Sequence, residues 1–354
     1  MGSPTYFLHI DSIKNDPGLI EEEKRRLDGV IITISSEIKS AITPSTVPGL
    51  IWALAWQEIE RVVQTVEHLT EAKISDFAGH ARYLRALAAA VPFRSAGPSD
   101  DPRTEYLLGQ CDALWSTIVH REMIDTLNHR SKEEHKKRHI AASMSLLGAF
   151  QLEIKYHDQA ESRIRKLYEP FSPDVIEPAL GLSVDEIVHG FRAVRETVGH
   201  RIDAIGGLMR PMHNKWHEFQ NLASSNITDS QLESFVNDDP KRDQLANDFA
   251  RGLETANAIM VFSPKDLEDV FGERAPRFFA EFSFTPGNVN MEFATPFDHD
   301  VVRSCPFARL PNEQFLLMDF YYSPFAPLYR LPEVSNSRRS RKPVKTGGTA
   351  EAFS

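Results

Sequence analysis

Cysteine is scarce in this sequence, and no stretch is long and apolar enough to span a membrane. The chain has two cysteines in 354 residues, Cys111 and Cys305, which argues against a disulfide-rich secreted fold and fits a reducing compartment. Its most apolar run, 47–56, falls well short of the roughly 20 residues that a spanning helix needs. The N-terminal residues lack a basic region followed by an apolar one, so no secretion signal is predicted. We therefore expect a cytoplasmic chain without membrane contact.

The motifs that mark several common enzyme classes are also missing. The sequence has no G-x-x-x-x-G-K-S/T phosphate loop, no G-x-G-x-x-G fingerprint, no G-x-S-x-G elbow and no C-x-x-C pair. These patterns hold nucleotides, activate a serine or carry redox chemistry. No cofactor is predicted, and we expect a non-catalytic protein.

The charge of the chain is acidic but unevenly distributed. The formal net charge is -10, which argues against broad attraction to nucleic acid. The segment 333–354 is the exception, with Arg338, Arg339, Arg341 and Lys342 among its basic residues. Its Ser, Arg, Gly and Thr content predicts a disordered basic tail. Nucleic acid is not expected as a partner except through this tail.

Most of the chain has the apolar periodicity of amphipathic helices. Asp16-Pro17 is typical of a helix start, and the Ser183 to Glu186 segment matches a capping box. Further helices are predicted over 45–74, from Ser75 to about 91, and from the capping box at Ser131 to about 169. Gly206-Gly207 is predicted to end the helix that begins after Ser183.

The region after Phe282 has a different pattern, rich in Phe and Pro. Residues 306–310 and 314–317 are two β-favouring runs around the polar turn Pro311-Asn312-Glu313, which predicts a hairpin. The expected fold is therefore mainly α, a multi-helix array with a small α+β C-terminal module. The predicted divisions are an N-terminal helical subdomain (1–91), a central helical domain (104–272), the Phe-rich module (273–332) and the tail (333–354).

Five short segments carry a family resemblance: Phe262-Ser263-Pro264, Phe282-Ser283, Asn288 to Pro296, Cys305-Pro306-Phe307 and Phe315-Leu316-Leu317. Together they resemble the end of the helical region found ahead of a nuclease-like domain in some uncharacterised bacterial proteins. The nuclease motif itself is missing downstream. The resemblance implies a helical accessory to a nuclease or other effector, and it assigns no catalytic residue.

The aromatic segment 315–331 is a candidate binding surface. It is too rich in large apolar residues, and too interrupted by Pro324 and Pro327, to bury every face against one helix, and exposed aromatic patches mark interaction sites. We expect a scaffold that presents this segment to a protein partner or to a second copy of itself. The other interpretation is that it closes the core of its own domain. The predicted contact residues are Phe320, Tyr321, Phe325, Tyr329 and Arg330.

The alternative function is a metal-dependent phosphohydrolase. Such enzymes use an adjacent His-Asp pair with a further histidine and a distal aspartate to hold metal ions. His157 and Asp158 are such a pair and the catalytic candidates, and His129 and Asp203 complete the alternative ligand set. The enzyme class requires these four side chains to converge within about 4 to 6 Å.

Other histidine groups are weaker candidates. His135 and His139 have the i, i+4 spacing of two metal ligands on a helix, but three cations separate them. His213 and His217 have the same spacing, in a segment whose pattern also predicts a helix start. Asp298-His299-Asp300 resembles a metal-binding triplet, although alternating residues rarely all face one site.

Overall fold

The structure is a computed structural model, and it confirms a mainly α fold with a small mixed sheet near the C-terminal end. The sheet and the helices around it form a small α+β module, as expected, although one strand (Val261–Phe262) comes from the segment predicted as the central domain. The structure describes residues 16–65, 71–96, 103–127, 157–223, 242–290, 301–320 and 323–339.

The first four described helices form the N-terminal part of the fold. The first begins where the sequence predicts, because the Asp16 carboxylate accepts hydrogen bonds from the backbone N–H groups of Gly18 (2.9 Å) and Leu19 (3.2 Å). It packs antiparallel on the fourth, with Lys24 2.7 Å from Asp125. The helices are α1 (Pro17–Ala41), α2 (Val47–Thr65), α3 (Glu71–Ala89) and α4 (Thr104–Leu127).

The central helices are dominated by one element of 40 residues. Its start is the predicted capping box: the Ser183 N–H donates to the Glu186 carboxylate (2.8 Å), and the Glu186 N–H donates to the Ser183 hydroxyl (3.1 Å). The two hydrogen bonds satisfy backbone donors that the first turn leaves free. The helices are α5 (His157–Tyr168), α6 (Glu177–Leu180), α7 (Val184–Ala223) and α8 (Arg242–Ala258).

The C-terminal module is built around a four-stranded sheet of order β1-β4-β3-β2. The predicted hairpin is confirmed, since β3 and β4 pair antiparallel with Ala308 opposite Leu316. Its turn places Asn312 and Glu313 at positive φ. β1 adds to β4 antiparallel, whereas β2 adds to β3 in parallel. The elements are β1 (Val261–Phe262), α9 (Glu268–Phe271), α10 (Ala275–Glu281), β2 (Ser283–Phe284), β3 (Phe307–Arg309), β4 (Phe315–Leu317) and α11 (Ala326–Arg339).

Phenylalanine side chains join α7 to the C-terminal module. The Phe191 ring lies 5.1 Å from the Phe278 ring and 4.9 Å from the Phe282 ring, both edge to face, a favoured geometry for aromatic pairs. Gly190 allows this approach, because a Cβ at this position would lie 2.6 Å from ring carbons of Phe271 and Phe278.

Arg201 makes a second connection between α7 and the module. Its guanidinium donates to the carbonyl oxygens of Ile259 (3.1 Å) and Val261 (2.6 Å) and to the Asp266 carboxylate (2.6 Å). It also lies 4.7 Å from the centre of the Phe262 ring. One side chain therefore satisfies carbonyl groups beyond the end of α8 and holds β1 against α7.

One cluster of buried apolar side chains extends from Ile38 to Leu331. The segments predicted as three separate units all contribute to it, and the domain boundaries stay a prediction. Residues 333–339 belong to α11, so the expectation that disorder begins at 333 is wrong for these residues. The remainder of the predicted tail lies outside the described residues.

Several predicted helix ends differ from the structure. α3 begins at Glu71, so Ser75 lies inside a helix rather than at its cap. α7 continues through Gly206-Gly207, where the sequence predicts an end. The helix is held there by packing on α8: Gly252 approaches so closely that an added Cβ would lie 2.8 Å from Cγ of Met209. Tertiary contacts thus outweigh the roughly 1 kcal/mol that each glycine costs a helix.

Candidate functional site

The most unusual feature of the interior is a cluster of three charged side chains. Arg85 is fully buried, and its two terminal nitrogens donate to the two carboxylate oxygens of Glu58, each at 2.7 Å. The Asp319 carboxylate lies 3.4 Å from the same guanidinium. One cation thus faces two buried acids, and we call these three residues the buried charge cluster.

The electrostatics of the cluster favour a bound proton. Burial raises the pKa of Glu58 from 4.5 to about 7, the positive charge of Arg85 opposes this rise, and the negative charge of Asp319 adds to it. Two carboxylates held this close repel each other, which favours protonation of one of them. Chemically, the cluster can therefore take up or release a proton near neutral pH.

The cluster lies where the N-terminal helices meet the C-terminal module. Glu58 is on α2, Arg85 is on α3 and Asp319 follows β4. Two further hydrogen bonds cross the same boundary, from the Asn290 side chain to the Ala86 carbonyl (3.1 Å) and from the Gly287 N–H to the Ala89 carbonyl (3.0 Å). Because all three charged groups are buried, a change in the charge of the cluster changes the stability of the fold.

Sequence reasoning missed the buried charge cluster, although one signal for it exists. Arg85 is the only charged residue in the otherwise apolar run 84–91, and a charge in such a run is buried only if it is paired. The identity of the partners is not visible in the sequence.

The structure distributes the predicted C-terminal contact residues between core and surface. Phe325 is buried and packs against Ala160 of α5, which contradicts its expected exposure. Phe320 is half-buried against the main core, and Arg330 is half-buried 3.7 Å from Glu281. Tyr329 is 43% exposed, with the Arg303 guanidinium 5.8 Å from its ring centre. Tyr321 lies outside the described residues. Most of this segment therefore closes the core.

The ligand set of the alternative enzyme is not brought together among the described residues. His129 lies outside them, and of His157 only the position in the backbone of α5 is described. Asp158 and Asp203 are both exposed. α5 runs antiparallel to α7, with Glu161 paired to Arg192 and Arg165 paired to Asp185.

This register separates the two aspartates. Asp203 lies eleven residues beyond Arg192 on α7, and Asp158 lies three residues before Glu161 on α5. Because the two helices are antiparallel, both offsets run in the same direction, so the two aspartates differ by eight residues along the helix axes. At 1.5 Å per residue, the two positions are roughly 12 Å apart along the helix axes. That separation exceeds the distance over which side chains share one or two metal ions.

The remaining histidine candidates have different outcomes. His135, His139 and the Asp298 to Asp300 triplet lie outside the described residues. His213 and His217 are exposed neighbours inside α7, with ring centres 4.4 Å apart, so the expected helix start at this segment is wrong. In the described ranges, no group of three or more His, Cys, Asp or Glu side chains could hold a metal ion.

A pair of tryptophans lies at the surface of α2. Trp52 and Trp56 are one helical turn apart, and their rings stack with centres 6.0 Å apart and planes 10° from parallel. Trp52 packs against the core, while Trp56 is 38% exposed. Gln57 donates a 2.7 Å hydrogen bond to Glu105 of α4, so α4 lies beside this part of α2. We call Trp52 and Trp56 the tryptophan surface.

Both tryptophans fall in the apolar run 47–56, whose composition does not separate them from core residues. The available signal was their i, i+4 spacing, which places both indoles on one face of a helix.

Comparison with protein-family models, with curated proteins and with solved structures gave no match. The resemblance to nuclease-associated bacterial proteins therefore stays a prediction. Among the described helices, none has both the length and the apolar character needed to cross a membrane.

Proposed function

We propose that this chain is a helical protein-binding scaffold and that a protein partner contacts it at the tryptophan surface. The observation that carries the proposal is the stacked indole pair, one ring partly buried against the core and the other exposed on α2. Tryptophan and tyrosine are the residues most enriched among the energetic anchors of protein interfaces.

The stacking also supports the proposal on entropic grounds. An exposed side chain that binds a partner loses rotamer freedom, which costs about 0.5–1.5 kcal/mol. Trp52 is held by the core and stacks on Trp56, so the exposed indole is already ordered before a partner arrives. Preordered aromatic anchors of this kind lower the free energy that association costs.

The C-terminal module contributes a second contact in this proposal. Tyr329 keeps an exposed ring beside Arg303, whereas Phe325 belongs to the interior. A nuclease or other effector, as the sequence resemblance implies, is one class of partner, and a second copy of the chain is another.

A site-specific crosslinking experiment tests the proposal. A photoreactive amino acid replaces Trp56 in the full chain, expressed in the cells that the gene comes from. The matched control carries it at Ile32 of α1, which is more exposed at 67%. We expect a discrete protein adduct from position 56, either with another protein or with a second copy. Equal adduct patterns from both positions, or none from position 56, would refute the proposal.

A further inference from the structure

The second half of α7 carries two exposed histidines that no part of the proposed function uses. His213 and His217 are four residues apart on one helix, so their side chains project from the same face one above the other. Their ring centres are 4.4 Å apart, and both residues are solvent-exposed. We call these two residues the histidine pair.

The spacing of the rings fits a shared metal ion. With Zn–N bonds of about 2.0–2.1 Å, the ion lies roughly 3 Å from each imidazole centre, so two rings on one ion have centres roughly 4.5–5 Å apart. The observed separation is close to this range without any change in the backbone. Imidazole nitrogens suit zinc, nickel and copper, whereas magnesium and calcium take oxygen ligands.

We propose that His213 and His217 bind one divalent transition-metal ion of the zinc, nickel and copper class. Since the described residues contain no group of three metal-binding side chains, the pair supplies two ligands and water completes the coordination. Such a site is open, unlike a structural zinc site, whose four positions are filled by protein. The positive charge nearest in sequence, Lys215, lies 3.8 Å from the Glu218 carboxylate on the same helix, which partly offsets its repulsion of a metal ion.

The position of the pair in α7 gives the binding a structural consequence. Pro211 lies inside the helix, two residues before His213, and a proline removes one backbone hydrogen bond from its turn. Gly206 and Gly207 stand one turn earlier and weaken the helix further. An ion that connects positions 213 and 217 would hold the turn that follows this weak part of α7. Metal binding should therefore raise the thermal stability of the chain.

Zinc titration of the full chain, without a purification tag, tests the proposal. His135 and His139 have the same spacing outside the described residues, so both are first replaced by glutamine to give the background chain. In this background, calorimetry should show one zinc site. His213→Gln and His217→Gln should each weaken binding at least about tenfold, because the second imidazole otherwise binds at a high effective concentration. His200→Gln is the matched control, an exposed histidine of α7 with no histidine four residues away.

Two outcomes of the titration would overturn the proposal. Absence of zinc binding in the background chain, or equal zinc affinity in the His213→Gln and His200→Gln variants, would refute it. A second measurement uses the chain without substitutions: zinc should protect His213 and His217 from diethyl pyrocarbonate while His200 continues to react, as mapped by mass spectrometry. Equal reaction of all three histidines in the presence of zinc would contradict the site.

Discussion

The replacement of Glu58 by glutamine should change how the stability of this protein depends on pH. Glu58 is 6% exposed and bonded through both oxygens to Arg85. Burial, together with the charge of Asp319, raises its pKa from 4.5 to about 7 despite the opposing charge of Arg85. Because the side chain is enclosed, solvent screening does not reduce this effect appreciably.

The magnitude follows from the pKa difference between the folded and unfolded chains. One pKa unit corresponds to about 1.4 kcal/mol, so the rise at Glu58 amounts to roughly 3 kcal/mol. The folded chain holds the Glu58 proton more tightly than the unfolded chain does. The contribution to stability is therefore complete below pH 4.5 and is lost as the pH rises through about 7.

The assay compares the free energies of unfolding of parent and Glu58→Gln chains. Urea denaturation followed by circular dichroism at several pH values from about 5 to 8 gives both. Glutamine cannot titrate, so the stability of the parent relative to the variant should fall by on the order of 3 kcal/mol across this range. Glu37→Gln, on the exposed face of α1, removes the same charge and serves as the control.

Two outcomes would refute this reasoning. A parent-minus-variant difference that stays constant from pH 5 to 8 would mean that Glu58 does not hold its proton more tightly in the fold. A difference that grows with pH would mean that ion pairing with Arg85 outweighs burial.

Four further predictions concern the buried charge cluster and other contacts of the fold. Arg85→Met removes the cation that is hydrogen-bonded to the buried Glu58 carboxylate and should cost about 3–5 kcal/mol in urea unfolding, and a loss under 1 kcal/mol would contradict the cluster. Gly190→Ala should cost about 1–3 kcal/mol, because its Cβ meets phenylalanine rings at 2.6 Å, whereas Gly199→Ala, with nothing within 4 Å, should be neutral or stabilising by up to about 1 kcal/mol. Arg201→Met removes hydrogen bonds to two carbonyls and a carboxylate and should lower the free energy of unfolding by on the order of 2 kcal/mol. Phe325→Asp should unfold or aggregate the chain while Tyr329→Asp keeps a melting temperature near the parent's, because only the former places a carboxylate in the interior; equal melting temperatures would show that Phe325 is not a core residue.

Short-range features of this protein were predictable from the sequence. The cap at Asp16, the capping box at Ser183 and the hairpin around Asn312 all appear where the residues indicate. Each depends on hydrogen bonds or turn conformations between residues a few positions apart. Such interactions are available to the local segment itself, so the residue types are sufficient to predict them.

Features that depend on distant contacts were not predictable in the same way. α7 continues through Gly206-Gly207 because α8 packs beside it, and local propensity alone argues for an end. β1 has two residues, and its strand conformation depends on pairing with β4, more than fifty positions later. The residues of neither segment indicate which distant element packs beside it.

The candidate sites show the same difference between short-range features and features that depend on distant contacts. The i, i+4 spacing of His213 and His217, and that of Trp52 and Trp56, can be read from the sequence, since helical geometry places such residues on one face. Which of these pairs is exposed, and that Phe325 turns inward, depends on the elements packed around them. Glu58, Arg85 and Asp319 come from three separate segments. Only the tertiary structure brings them together, because the free energy of a buried charge depends on partners that the chain supplies from far away in sequence.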